Sequence, residues 1–126
     1  MRLTLRDNLP FVSLRAVYHG KELEIADVLV DTGSGGTVLA ADVVASLGIM
    51  AEPGDMLHAV RGVGGYEYVF DRQLDHLQLG TQRLANFTVE ISGLDYGFPI
   101  NGILGMDFLT RTGAILNLQA LSLEFA

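Results

Sequence analysis

Glycine punctuates this chain so often that no apolar segment runs far before a turn is due. Fifteen glycines fall among 126 residues, and the stretches between them are rich in Val, Ile, Leu, Phe and Tyr. Short, partly alternating apolar runs bounded by Gly, Asn, Asp and Pro are the pattern of many short strands joined by tight turns. Residues 11–18 and 22–30 read as a hairpin about His19-Gly20 that ends at Asp31. Residues 40–47 have helix-forming composition with Gly48 just beyond, the common place for a helix stop. "MLHAV" and "YEYVF" flank residues 61–65 as a second hairpin with a glycine tip. "HLQLG" and "LANFTVEI" read as further strands, residues 93–99 as a loop, and "INGILG" as a short strand. "MDFLTRT" with Gly113 reads as a second short helix, and "AILNLQALSLEF" as two strands about Gln119-Ala120. The order repeats faintly, because "VLVDTG" and "GILGMD" each break from an apolar run into a turn before a helix.

The length suits one domain, residues 1–126, built on one core. With 49% hydrophobic and 18% charged residues the chain is expected to fold. A net charge of −7 argues against nucleic acid and against anionic membranes as partners. The absence of cysteine excludes disulfides and thiolate metal sites, and fits a reducing compartment. No apolar run approaches the ~20 residues of a membrane span, and "MRLTLRDNLP" lacks the apolar centre of a signal peptide. Localisation stays open with a cytoplasmic setting favoured, and a segment cut from a longer protein would look the same.

One stretch stands out. In "VLVDTGSGGTVL" an apolar run delivers the carboxylate of Asp31 directly into a turn. Alone, Asp-Thr-Gly is ordinary turn chemistry, and average residue usage puts it by chance in roughly 2% of chains this long. Two further elements agree with it in order and spacing: the hairpin tip "RGVGGYEYV", and "GILGMDFL" before a short helix. Together the three resemble the retroviral-type aspartic proteases, the retropepsins and their single-domain cellular and bacterial relatives. The resemblance covers residues 10–125. It implies an all-β, closed barrel-like fold with one or two short helices and a β-hairpin flap, assembled as a homodimer. It makes Asp31, Thr32 and Gly33 the catalytic loop, with Thr32 bracing it from below. Ser34 and Gly35 would line the substrate groove beside it. Gly62, Val63, Gly64 and Gly65 would form the flap tip over the substrate, and Ile103-Leu104-Gly105 would pack beneath the catalytic loop. Many retroviral members pair an acidic residue two places after the loop glycine with an arginine right after the second motif's glycine. Here those positions are Gly35 and Met106, so both partners are gone together. That resembles the non-viral branches and bears on substrate preference more than on catalysis.

Amide hydrolysis needs an activated water and an acid for the carbonyl oxygen. Two carboxylates ~3 Å apart supply both, because they share one proton more readily than they both ionise. The resemblance implies that Ser34 hydrogen-bonds the carboxylate. The chain holds no second Asp-Thr-Gly or Asp-Ser-Gly, since Asp71, Asp75 and Asp107 lack the glycine turn. The second carboxylate is therefore expected from Asp31 of another copy across a twofold axis, with residues 114–125, joined by residues 3–5, as the interface. The expected partners are a second copy and a peptide or protein substrate. No cofactor or metal is expected, because His19, His58 and His76 share no ligand spacing. Asp107 reads as a helix-start residue. Ser34 does not sit in Gly-x-Ser-x-Gly, Gly62–Gly65 lacks the further glycine of a dinucleotide loop, and "GSGGT" lacks the P-loop lysine. Tyr66, Tyr68 and Phe70 alternate on the hairpin's return strand, one face toward core and the other toward substrate, and Tyr96 and Phe98 either line the groove or anchor the loop. Two alternatives remain: a retropepsin-fold module that dimerises or binds peptide without cleaving it, and an unrelated small β-barrel in which Asp31 is structural.

Overall fold

The structure, a computed structural model, describes residues 1–62, 65–94 and 97–126, with residues 60–62 and 65–68 described by backbone alone. The first hairpin pairs β2 (Leu9–Tyr18) with β3 (Lys21–Val30). At its turn His19 and Gly20 both take positive φ, 47° and 79°. Asp75 holds that turn by accepting from the Gly20 N–H at 2.9 Å and the His19 N–H at 3.1 Å. These bonds, Gly20's foremost, keep the Asp75 carboxyl below its ordinary pKa. The hairpin carries a bulge: Val12 pairs with Val28 but Leu14 with Ile25. Asp27 occupies the extra position at φ 57°, pinned by Arg6 at 3.0 Å. Because of that extra residue, Ile25, Val28 and Val30 all point into the main core, while Leu29 packs on the opposite face.

A ten-stranded sheet runs in the order β5 (His58–Gly62), β6 (Gly65–Gln73), β9 (Thr88–Ser92), β4 (Val38–Ala40), β10 (Gly102–Leu104), β3, β2, β7 (His76–Leu79), β8 (Gln82–Ala85), with β1 (Thr4–Arg6) on β2. Strands from both ends of the sheet meet in its main core. Val89 and Ile91 of β9 cluster with Leu14 and Ala16 of β2 and with Leu77 and Leu79 of β7. The expected closed barrel is corrected here: among the described residues the end strands β5 and β8 do not pair with each other. Closure would require those two edges to meet. β5 belongs instead to a hairpin bonded only to β6, and β8 is a four-residue edge exposing Arg83, a common way to blunt an edge. The segment read as one strand, "LANFTVEI", is broken at Asn86, which takes φ 54° as Asn readily does.

Both short helices end on the glycines marked in the sequence. α1 (Ala41–Val44) continues as a 3-10 turn over Ala45–Leu47 and stops at Gly48, φ 83°. α2 (Met106–Thr112) stops at Gly113, φ 65°, whose N–H donates to Leu109 and Thr110 carbonyls. Neither is long enough to cross a membrane. The chain finishes in a separate hairpin, β11 (Ala114–Asn117) with β12 (Ser122–Phe125). The N-terminus lies along β12 of its own chain: Leu123 N–H donates to Met1 O at 2.9 Å and Leu3 N–H to Leu121 O at 2.8 Å.

Candidate active site

The sequence echo between "VLVDTG" and "GILGMD" has a spatial counterpart. β10 lies parallel to β3 with Gly102, Ile103 and Leu104 opposite Val28, Leu29 and Val30. The ladder extends one step further, because the Asp31 N–H donates to Leu104 O at 3.0 Å. Asp31 is thus fixed at the end of two parallel apolar strands, where Val30 and Leu104 are anchored in the core. Its carboxylate turns back onto its own loop: the Gly33 N–H donates to Asp31 Oδ1 at 2.9 Å. A Cβ on Gly33 would stand 3.1 Å from that oxygen, so any larger residue here would push the carboxylate by a few tenths of an ångström.

The loop is clamped along its length by the segment that follows β10. Met106 N–H donates to Ser34 O at 2.8 Å. Gly105 presses so closely on the loop that a Cβ there would lie 2.2 Å from Gly36 O. The far end is held by Thr37, which is 1% exposed. Its hydroxyl donates to Asp107 Oδ1 at 2.7 Å and accepts from the Gly105 N–H at 3.1 Å. Its N–H donates to Asp107 Oδ2 at 3.2 Å. Asp107 does serve the start of α2, accepting from Phe108 N–H at 2.8 Å, but it also ties that helix to the Asp31 loop. Thr37 was not singled out in the sequence. Its only signal is a threonine directly after two glycines and before the apolar exit "VL".

The other loop residues separate by orientation. Ser34 Oγ donates to Gly36 O at 2.7 Å and not to the Asp31 carboxylate, which corrects the expected serine–carboxylate bond, since the turn offers a nearer carbonyl. Gly35 is exposed with open space where a side chain would go, and Met106 is 37% exposed. Thr32 is exposed and lines a groove of about 330 Å³ with Met106, Leu109, Thr110, Ala114 and Leu116. That groove lies between the Asp31 loop and β11.

The hairpin expected to act as a flap is present as β5 and β6, antiparallel, with Gly62 opposite Gly65. Val63 and Gly64 lie outside the described residues, as do the Tyr66 and Tyr68 side chains and Tyr96. Phe70 is buried in the core. Phe98 packs on a second apolar cluster with Phe11, Ala40, Leu94, Ile100 and Ile103, on the face of the sheet that carries Leu29 and Val38. Arg6 donates to the Pro99 carbonyl, so the 97–100 segment is tied to β1. The three histidines are apart: His19 stacks on Tyr18, His58 meets Asp71 at 3.3 Å, and His76 faces Arg83.

A carboxylate at the end of two parallel strands, in a glycine loop braced by a second Gly-containing turn and a short helix, and with a hairpin rising from the same sheet, is the architecture of a retropepsin-like aspartic protease. The aspartyl protease sequence profile matches residues 15–108, and the chain belongs to that family. Solved structures of the same fold include a protease of EIAV complexed with the inhibitor HBY-793, 21% identical, covering 91% of this chain and 98% of that one with a TM-score of 0.62. A retropepsin-like aspartic protease from Rickettsia conorii is 18% identical, covering 95% of this chain and 92% of that one with a TM-score of 0.65. No curated protein matches the chain in sequence.

Proposed function

We propose that the protein is an aspartic endopeptidase whose site is completed by a second copy, each subunit contributing Asp31. The observation that carries this reading is the placement of Asp31. It is half-exposed at the end of β3, rigidly held through Leu104 O and the Gly33 N–H, with no cation on its carboxylate among the described residues. Two such carboxylates facing across a twofold axis hold one proton between them. The ionised one draws a proton from a bound water as it attacks the peptide carbonyl. The protonated one polarises the carbonyl oxygen and then supplies a proton to the leaving amine. Thr32 and Gly33 shape the loop, Ser34 and Gly35 border the bound peptide, and Gly62, Val63, Gly64 and Gly65 close over it.

The surface beside the loop supports a twofold contact. The groove holding Thr32 continues onto β11 through Ala114 and Leu116, and the same hairpin leaves Ile115, on the strand's other face, 51% exposed and Leu118 beyond it 66%. Leu3 is buried against its own chain, which narrows the proposed interface to β11 and its neighbours, with Leu5 exposed at 46%. The test is Asp31→Asn, which keeps the side chain's shape and removes its basicity. Cleavage of a peptide library should disappear while the far-UV circular dichroism stays unchanged. Cleavage surviving in a folded Asn variant would refute the reading.

A further inference from the structure

The registers of the sheet place one row of side chains on a single face, crossing the catalytic loop's surroundings from end to end. Phe11 pairs with Leu29, Leu29 with Ile103, Ile103 with Val38, Val38 with Glu90, and Glu90 with Asp71. Directly paired residues share a face, so the row runs unbroken over six strands. It skirts the loop closely. Leu29 stands two residues before Asp31, Ile103 two before Gly105, and Val38 two after Gly36. Its chemistry changes along the way, apolar from Phe11 to Val38, then two carboxylates in succession, Glu90 on β9 and Asp71 on β6, the return strand of the hairpin.

Glu90 is the residue at which the change occurs. Its N–H donates to Thr37 O at 2.9 Å, which fixes its backbone to the loop's exit. Its side chain reaches over Gly36, where a Cβ would come within 3.7 Å of Glu90 Oε1. The carboxylate is half-buried, and no described residue hydrogen-bonds or ion-pairs with it. Its cross-strand neighbour Asp71 is 51% exposed, and its side chain's one partner among the described residues is His58 Nε2 at 3.3 Å. Like charges directly opposite on a sheet repel, and a cation laid between them relieves that repulsion while forming charge-assisted hydrogen bonds.

We propose that Glu90, seconded by Asp71, is a specificity-determining residue that selects peptides bearing a lysine or arginine at a fixed distance from an apolar residue at the cleaved bond. The inference rests on the peptidase reading above. Leu29 and Val38, both half-exposed, receive the apolar side chain near Asp31. Glu90 receives the basic one further along the extended peptide, whose alternate side chains point to the same wall. General attraction of cations to a chain of net charge −7 differs from this in being indifferent to position and easily screened by salt.

The test is a position scan. One apolar core peptide is made with lysine or norleucine at each flanking position in turn, and kcat/KM is measured near physiological salt. At one position lysine should be preferred over norleucine by about tenfold, the scale of one partly desolvated charge pair. Glu90→Gln should abolish that ratio at that position alone. Asp71→Asn should reduce it less, and Glu90→Lys should turn the preference toward glutamate there. Cleavage of the core peptide with no position favouring lysine, or a preference unchanged in Glu90→Gln, overturns this inference and leaves the peptidase reading standing. Failure to cleave any peptide overturns the peptidase reading and this inference with it.

Discussion

Replacing Thr37 with valine removes one hydroxyl and almost no volume, so the result isolates hydrogen bonding. The hydroxyl is the meeting point of three segments: the exit of the Asp31 loop, the Gly105 turn and the first turn of α2. Valine leaves the Gly105 N–H buried without an acceptor, at about 1–3 kcal/mol. It also takes one donor from Asp107 Oδ1, although Phe108 N–H at 2.8 Å and the Thr37 N–H at 3.2 Å still serve that carboxylate. The two losses together come to about 3 kcal/mol. In a domain of this size that lowers the melting temperature by about 12 °C. Thr37→Ser keeps the hydroxyl and loses only a methyl, near 1 kcal/mol, so it should recover most of the difference. Thermal and urea unfolding of the three proteins at one fixed concentration make the comparison, because self-association would otherwise shift the midpoints. A Thr37→Val protein within about 0.5 kcal/mol of native, or Thr37→Ser as damaged as Thr37→Val, would refute the view that this hydroxyl joins loop to helix.

Gly105→Ala should be far more damaging than an exposed glycine-to-alanine change. Its Cβ would fall 2.2 Å from the backbone oxygen of Gly36, and the resulting displacement of the loop should cost at least about 3 kcal/mol in urea unfolding; a near-neutral result would mean the two turns are not in contact. Asp75→Asn should lower the melting temperature near neutral pH, because the Gly20 and His19 N–H groups lose a charged acceptor. Since the native pKa of Asp75 is lowered from 3.8, its contribution is fully present above that value and is lost as pH falls through the lowered one. Melting curves of the two proteins should therefore converge below about pH 4; a gap that widens toward acid would contradict this sign.

Asp31 was legible because everything that marks it is local: an apolar run, a carboxylate, a glycine. Gly105 was legible for the same reason, as a glycine directly after Ile103-Leu104. The bond between Thr37 and Asp107 spans 70 residues of sequence, and no spacing rule reaches that far. Asp107 therefore read as a helix-start residue and nothing more. The Ser34 hydroxyl was assigned to the wrong acceptor because a sequence does not give the distance to Gly36 O. β1 escaped notice because three residues carrying one apolar side chain between two polar ones show no pattern. Asn86 hid a turn inside an apolar run, since its positive φ depends on backbone that composition does not reveal. Whether a curved sheet closes is decided by its two edges, β5 and β8, and each looks like any other strand in sequence. The hairpin was legible from its glycines, whereas the row from Phe11 to Asp71 exists only in the register.

The central claim is that the site needs an Asp31 from each of two chains. Subunit mixing tests it most directly. Native protein is held constant while Asp31→Asn protein is added, with time allowed for exchange, and peptide cleavage is measured. With random pairing into twofold dimers, an equal amount of variant should lower the activity to about one half, and a large excess should extinguish it. Activity unaffected by the added variant would mean that each chain carries a complete site, which would contradict the account.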